Sequence, residues 1–217
     1  MNFFKNKNSD QEKFTSTPFQ KKDVGLQGKW GFTLIELLIV SAIFVTVTSI
    51  MMVRFSLFNN KILTTNLAYD IALSIRKAQT FGLNARGFDA PGGVTFDTGY
   101  GIHFDDSSKI SYILFADLDG DKKYDPDELV ESFSIGGGHF IEKFCATPAG
   151  SRESCSNSGG IGNLDIIFLR PDPDAFIKSY GSNATYQSGV ITVISPQGVR
   201  RAIQVYSTGQ ISIVRNP

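Results

Sequence analysis

The chain has 217 residues, of which 41% are hydrophobic and 19% charged, so it fits one globular domain with an appendage and excludes a long disordered or collagen-like chain. Its 21 basic side chains balance 21 acidic ones, which argues against a protein built chiefly to coat nucleic acid or to bind acidic lipid. A mean hydropathy of −0.05 is too polar for a protein that crosses a membrane several times.

A polar leader, residues 1–31, comes first. It contains six lysines and three acidic residues, a net charge of +3, whereas Arg54 and Lys61 are the nearest basic residues behind the apolar block that follows. Because basic residues flanking a membrane span remain in the cytoplasm, the leader is predicted to be cytoplasmic and the C-terminal domain extracytoplasmic.

The apolar block, residues 32–53, reads FTLIELLIVSAIFVTVTSIMMV and has Glu36 as its only ionisable side chain. As a helix it would extend about 33 Å, which is enough to cross the hydrocarbon core of a bilayer. A secretory signal peptide is the alternative, but its apolar region is usually about 7 to 15 residues and ends at a small-residue cleavage site. The block therefore predicts a single membrane-spanning helix.

Glu36 needs an explanation, because a carboxylate in hydrocarbon costs about 3 kcal/mol even on insertion scales. No Lys or Arg occurs in the 17 residues after it. Cleavage between Gly31 and Phe32 would create an amine one helical turn away, which could pair with Glu36 of the same or a neighbouring chain. An ordinary signal anchor that holds one glutamate by accident is the other interpretation.

The string Gly31-Phe32-Thr33-Leu34-Ile35-Glu36-Leu37-Leu38-Ile39-Val40 resembles the processing site of type IV prepilins and type II secretion pseudopilins. The resemblance implies that a prepilin peptidase cuts after Gly31 and methylates the amine of Phe32, and that Glu36 aligns incoming subunits. It further implies four partners: other pilin or pseudopilin subunits, the peptidase/methyltransferase, an inner-membrane assembly platform and the membrane itself.

An amphipathic helix is predicted over residues 54–82. Its apolar stripe recurs at intervals of four and three and comprises Leu63, Leu67, Ile71, Ile75 and Ala78. Nothing in residues 33–81 breaks a helix, so we expect one helix of about 49 residues that ends at Gly82. A coiled coil competes with this interpretation, but the charges do not sustain heptads.

The remaining segment, residues 83–217, changes to a period of two with frequent turn residues and is predicted to be a β-rich head. Strands are expected at 100–104, 110–116, 129–135, 139–144, 164–169, 189–194, 199–206 and 210–214. With no helical period between them, the sheet should be mainly antiparallel. The predicted fold is thus α+β, a long helix packed on an antiparallel sheet. It resembles the H-type minor pseudopilins and FimT-like minor pilins, with weaker matches at residues 67–86 and 207–213.

The acidic segment DLDGDKKYDPDE, residues 117–128, has the ligand spacing of an EF-type calcium loop. The candidate ligands are Asp117, Asp119, Asp121, Lys123 at the main-chain position, Asp125 and Glu128. Lys122 stands where the sharp turn favours Gly, and strands flank the segment. It is therefore either a calcium-capable hairpin loop or a solvated acidic turn, and a bound ion would rigidify the head rather than catalyse. No other cofactor is expected.

Two cysteines, Cys145 and Cys155, complete the covalent features of the head. In an exported domain a disulfide between them is expected, and two reduced thiols are the alternative. A zinc site is not predicted, because neither the cysteine spacing nor nearby histidines supply four ligands.

No catalytic motif is present. His103 and His139 lie outside metal and nucleophile patterns, so the chain is not predicted to be an enzyme. Some FimT-like pilins bind DNA through basic residues near the C-terminus, to which Arg200, Arg201 and Arg215 correspond. After Gly209, where the DNA-binding members carry arginines, this chain has Gln210 and Ser212, so nucleic acid is not the expected partner. A solvated strand face is the simpler role for these arginines.

Together these patterns predict a non-enzymatic minor pilin or pseudopilin of a type IV pilus or type II secretion system. It would be inserted once in the cytoplasmic (inner) membrane and would enter a filament after processing. The rival hypotheses are a monomeric, membrane-anchored calcium-binding module and a DNA-receptor pilin.

Overall fold

The computed structural model describes residues 31–84, 86–90, 93–182 and 184–214, with side chains omitted at 53–57 and 90. Predictions for the leader before Gly31 and for Arg215 lie outside these residues. The described chain divides into two units, with the boundary between Thr46 and Val47.

One helix, α1, runs from Leu34 to Leu83. Its stretch Leu34–Met52 is long and apolar enough to cross a membrane, and none of it is buried within the protein. The prediction that Gly82 stops the helix is wrong, because Gly82 lies inside α1. A Cβ at Gly82 would overlap the backbone carbonyl oxygen of Phe168, so the glycine allows helix and sheet to approach closely.

The packing face of α1 in the second unit consists largely of small residues. Thr64, Ala68, Ile71, Ile75 and Ala78 are all fully buried. The predicted stripe is therefore right at its C-terminal end but wrong at its start, where Leu63 remains 43% exposed. Thr64 and Ala68 take the buried positions because small side chains bring the helix axis nearer the sheet.

The described residues of the head form twelve strands. Their bounds are β1 Phe88–Ala90, β2 Gly93–Thr95, β3 Gly99–Asp105, β4 Ser111–Asp117, β5 Leu129–Ser134, β6 Phe140–Pro148, β7 Ser154–Cys155, β8 Asn163–Phe168, β9 Ala175–Lys178, β10 Tyr186–Ile194, β11 Arg200–Tyr206 and β12 Ile211–Val214. The eight predicted strands correspond to β3, β4, β5, β6, β8, β10, β11 and β12. The four that the sequence did not predict have two to four residues each.

Every described strand pair is antiparallel, but the head has two five-stranded sheets and a separate β1–β2 hairpin rather than one sheet. The strand order is β12-β11-β10-β6-β7 in the first sheet and β5-β4-β3-β8-β9 in the second sheet. The two sheets pack face to face: a Cβ at Gly189 of β10 would lie 3.4 Å from Leu164 of β8. The α+β class and the antiparallel pairing are confirmed.

α1 contacts both sheets. The Ser74 hydroxyl lies 3.1 Å from the Tyr112 hydroxyl of β4, and the Arg201 guanidinium of β11 donates to Thr65 Oγ1 at 3.1 Å. Near the helix end, the Gln79 amide donates to the carbonyl oxygens of Pro173 and Gly209. The helix and the two sheets therefore share one core.

Candidate functional site

The first turn of α1 contains the residues of the predicted processing site. The Glu36 backbone N–H donates to Thr33 Oγ1 at 3.2 Å, and the Leu37 N–H donates to the Thr33 carbonyl at 3.1 Å. Thr33 therefore caps the helix, and Glu36 occupies the third helical position, where a carboxylate interacts favourably with the helix dipole. Sequence analysis did not identify this cap, although T-x-x-E is its usual signature.

The residues around this turn are uncovered in the structure. Phe32 is 81% exposed, and Leu37, Phe44 and Met51 of α1 are each more than half exposed. An apolar surface of this extent is typical of a membrane or protein contact.

The second candidate site is the β4–β5 loop, residues 117–128. Asp117 is the last residue of β4, and Glu128 ends a 3₁₀ turn, Pro126–Glu128, directly before β5. Both side chains are 2% exposed, whereas Asp119 and Asp121 lie at the surface. The two ends of the acidic loop are thus buried and its middle is solvated.

Backbone N–H groups orient the carboxylates of the loop. Asp117 Oδ1 accepts from Gly120 at 2.9 Å and from Lys122 at 3.4 Å. Further along the loop, Asp119 Oδ1 accepts a hydrogen bond from the Asp121 N–H, and Asp121 Oδ1 accepts one from the Lys123 N–H. Lys122 takes a left-handed conformation, with φ of +66°, at the position where the motif favours Gly.

Glu128 holds the two ends of the loop together. Its Oε1 accepts from the Leu118 N–H at 2.6 Å and its Oε2 from the Asp125 N–H at 3.0 Å. Burial raises the pKa of Glu128 to about 7, with these N–H bonds opposing the rise and the charges of Asp117 and Asp119 adding to it. Burial likewise raises the pKa of Asp117.

The predicted ligands fall into two overlapping triads. One carboxylate oxygen from each of Asp117, Asp119 and Glu128 lies within 4.8 Å of the other two, and the same holds for Asp119, Asp121 and Asp125. Such a set of oxygen donors suits a hard divalent cation. Lys123 lies in the same loop, and its ammonium is 3.6 Å from Asp121 Oδ2.

Tyr124 connects this loop to the outer face of the second sheet. The centroid of its ring lies 4.7 Å from the ring centroid of His103 and 5.6 Å from that of Phe115. The carbonyl oxygen of Tyr124 accepts a hydrogen bond from the Tyr180 hydroxyl. His103 in turn pairs with Asp165. Sequence analysis did not predict this cluster.

The cysteines are joined as a disulfide, with an S–S distance of 2.06 Å. Cys145 of β6 and Cys155 of β7 lie directly opposite one another in the antiparallel register. The link holds the two-residue strand β7 at the edge of the first sheet.

The two described arginines of the DNA hypothesis have different environments. Arg200 is exposed and donates to both carboxylate oxygens of Glu142, at 2.7 and 2.6 Å, and this hydrogen bonding lowers the pKa of Glu142. Arg201 is 7% exposed, and its guanidinium donates to the carbonyl oxygen of Arg200 as well as to Thr65. The expectation of a solvated strand face is therefore wrong for Arg201, because its side chain packs against α1.

The described residues thus define an α+β protein with an uncovered, membrane-length apolar helix, two antiparallel sheets and an acidic hairpin loop. Comparisons with protein-family models, curated proteins and solved structures find no match to this chain.

Proposed function

We propose that this chain is a non-enzymatic structural subunit, a minor pilin or pseudopilin, that is cut after Gly31 and assembled through α1 into a type IV pilus or a type II secretion pseudopilus. The observation that carries the proposal is the position of Glu36. It lies in the first turn of a helix whose apolar stretch Leu34–Met52 is not buried, about one turn beyond the Gly31–Phe32 bond.

The apolar stretch Leu34–Met52 supports an assembly role because none of it is buried. Residues 34–52 would lie in lipid before assembly and against equivalent helices afterwards. Lipid tails are as apolar as the side chains, so the transfer is driven by close helix packing and by polar contacts rather than by the hydrophobic effect.

Glu36 would supply the directional polar contact. In the precursor the Phe32 nitrogen is part of the peptide bond to Gly31, so it carries no charge that could pair with the carboxylate. Cleavage makes Phe32 the first residue, and its cationic amine can then pair with Glu36 of the same or a neighbouring subunit. A paired carboxylate is far less costly in an apolar bundle than an isolated one, so processing would permit assembly.

The head is suited to be carried by the helix in a pilin-like arrangement. Small buried residues such as Ala68 and Ala78, together with the close approach at Gly82, fix residues 64–82 to the sheets. A subunit drawn into a filament by its N-terminal segment would thus present the head at the filament surface or tip.

The experiment compares incorporation of Glu36→Ala and Glu36→Gln variants into filaments in the native host. Asp70→Ala is the matched control, since Asp70 is an exposed acid of the same helix outside the apolar stretch. We expect both Glu36 variants to insert into the membrane but to be lost from sheared filaments, and the control to be incorporated normally. Normal incorporation of Glu36→Ala would contradict the proposal.

A monomeric, membrane-anchored, extracytoplasmic calcium-binding module is the second candidate, and the acidic β4–β5 loop favours it. On that account the Glu36 variants leave a functional surface domain, and no filament contains the wild-type chain. The same incorporation assay therefore separates the two functions. A DNA-receptor pilin has less support, because Arg201 is buried and Arg200 is paired with Glu142.

A further inference from the structure

We propose that the β4–β5 loop is a calcium site, in which Asp117, Asp119 and Glu128 hold the ion from the ends of the loop and Asp121 and Asp125 complete the ligand set. The site is independent of filament assembly, since all five residues belong to the head.

The first observation is a cluster of carboxyl groups, two of which are buried. The carboxylates of Asp117, Asp119 and Glu128 lie within 4.8 Å of one another, and Asp117 and Glu128 are buried. Among the described residues, no Lys, Arg or His nitrogen comes within 4.0 Å of Asp117 or Glu128. Buried carboxylates are normally paired or bound to a metal, so this cluster lacks its counter-charge.

The second observation, which does not depend on the clustering, is an unpartnered oxygen of Asp117. Asp117 Oδ2 is buried and has no hydrogen-bond partner among the described residues, whereas Oδ1 of the same carboxylate accepts two N–H bonds. Buried polar atoms in folded proteins almost always have a partner. A cation bound between Asp117, Asp119 and Glu128 would supply one.

The two lysines of the loop do not reach Asp117 or Glu128, and Lys123 pairs only with the outer ligand Asp121. The Lys123 ammonium lies against Asp121, and also 5.7 Å from the ring centroid of Tyr180. The Lys122 ammonium lies 5.2 Å from the ring centroid of Phe176. These two lysines therefore do not neutralise Asp117 and Glu128.

The donor set selects calcium. Every candidate ligand is an oxygen, which disfavours zinc and other metals that prefer nitrogen or sulfur. Glu128 can bind through both oxygens, and several carboxylates spread over twelve residues suit the six to eight ligands of Ca²⁺. Mg²⁺ requires a smaller octahedral shell and keeps several waters, so it should bind more weakly.

A bound ion would also stabilise the outer face of the second sheet. Tyr124 lies within the loop and covers His103 and Phe115. Fixing the loop would therefore fix this aromatic cover, and binding to the folded state alone would raise the unfolding temperature with calcium concentration.

The test uses the full chain in detergent after removal of metal with EDTA. Calorimetric titration with CaCl₂ or MgCl₂ and thermal unfolding at increasing CaCl₂ are measured for the wild type, Asp117→Asn, Glu128→Gln and Asp127→Asn. Asp127 is the matched control, because it is an exposed acid of the same loop outside both triads.

We expect one Ca²⁺ per chain, weaker Mg²⁺ binding, a loss of affinity of roughly tenfold or more in Asp117→Asn and Glu128→Gln, and little change in Asp127→Asn. Absence of calcium binding in the wild type, or equal weakening in all three variants, would overturn the site, since equal weakening indicates diffuse attraction to an acidic surface.

Terbium luminescence covers the case in which a variant does not fold. Tb³⁺ bound to the wild-type loop should be excited through Tyr124 and displaced by Ca²⁺. Tyr124→Phe should lower the emission without changing the calcium affinity measured by calorimetry. Terbium emission that Ca²⁺ does not displace would contradict binding in this loop.

Discussion

The Nδ1 atom of His103 lies 2.5 Å from the Oδ1 atom of Asp165, and the two residues face one another in the register of β3 and β8. The other oxygen of Asp165 accepts from the Asn163 amide at 3.0 Å, and Asn163 Oδ1 accepts from the Tyr180 N–H at 2.7 Å. Burial raises the pKa of Asp165, and the hydrogen bond from His103 opposes that rise. This buried network links β3, β8 and the segment after β9.

Replacing Asp165 by Ala should lower the free energy of unfolding by about 3 kcal/mol, because His103 and Asn163 would lose their buried partner. The measurement is denaturant unfolding of the detergent-solubilised chain, followed by near-ultraviolet circular dichroism. Asp172→Asn, an exposed acid, is the control. A loss below about 0.5 kcal/mol, the usual range of a surface substitution, would contradict the structural role of the network.

Gly82→Ala should destabilise the head by about 1 to 3 kcal/mol, although alanine is the better helix former. The new methyl group would meet the Phe168 carbonyl and push α1 away from β8. Gly162→Ala is the matched control, since a Cβ there meets no atom within 4 Å and the backbone is not left-handed. The free energy of unfolding is measured by the same denaturant assay. Greater stability of Gly82→Ala than of the wild type would disprove the close approach.

The Cys145–Cys155 disulfide should contribute about 2 to 3 kcal/mol by restricting the unfolded chain, as expected for a loop of this length. The double variant Cys145→Ser with Cys155→Ser should show this loss in the unfolding assay. Adding reductant should then destabilise the wild type but not the double variant. Equal stability of the oxidised and reduced wild type would show that the link contributes nothing.

Binding to duplex DNA is not expected. Arg200 is paired with Glu142, and Arg201 is buried against α1, so the described arginines do not present a row of free cations to phosphates. The full chain should not be retained on immobilised duplex at about 0.15 M salt. Retention that Arg200→Glu abolishes and Glu142→Gln strengthens would contradict this prediction. Arg201→Glu is unsuitable for the test, because a buried substitution would perturb folding.

Much of the fold could be predicted from sequence because its longer elements have clear periods. The helix was expected over residues 33–81 and runs over Leu34–Leu83, and the longer strands follow the period-two segments. Strands as short as Ser154–Cys155 contain too few residues for alternation to be recognised. The two sheets could not be predicted, because pairing β6 with β10 is a long-range choice that local pattern does not encode.

The acidic loop and the Asp165–His103 pair also differ in how far they could be predicted from sequence. The spacing of Asp117, Asp119 and Glu128 is local, so sequence alone indicated the loop, and the structure added the burial of its two ends. The Asp165–His103 pair is long-range and was not predicted. The sequence does contain a signal for this pair, since Asp165 is a charged residue in the otherwise apolar run 164–168. A carboxylate among apolar residues needs a partner, as was argued for Glu36.

The most direct test of the account is mass spectrometry of the mature N-terminus of the protein isolated from its native host. We expect a chain that begins at Phe32 and carries one methyl group on its amine. A chain that still contains residues 1–31, or one that begins elsewhere, would contradict the proposed processing and with it the pairing of a new amine with Glu36.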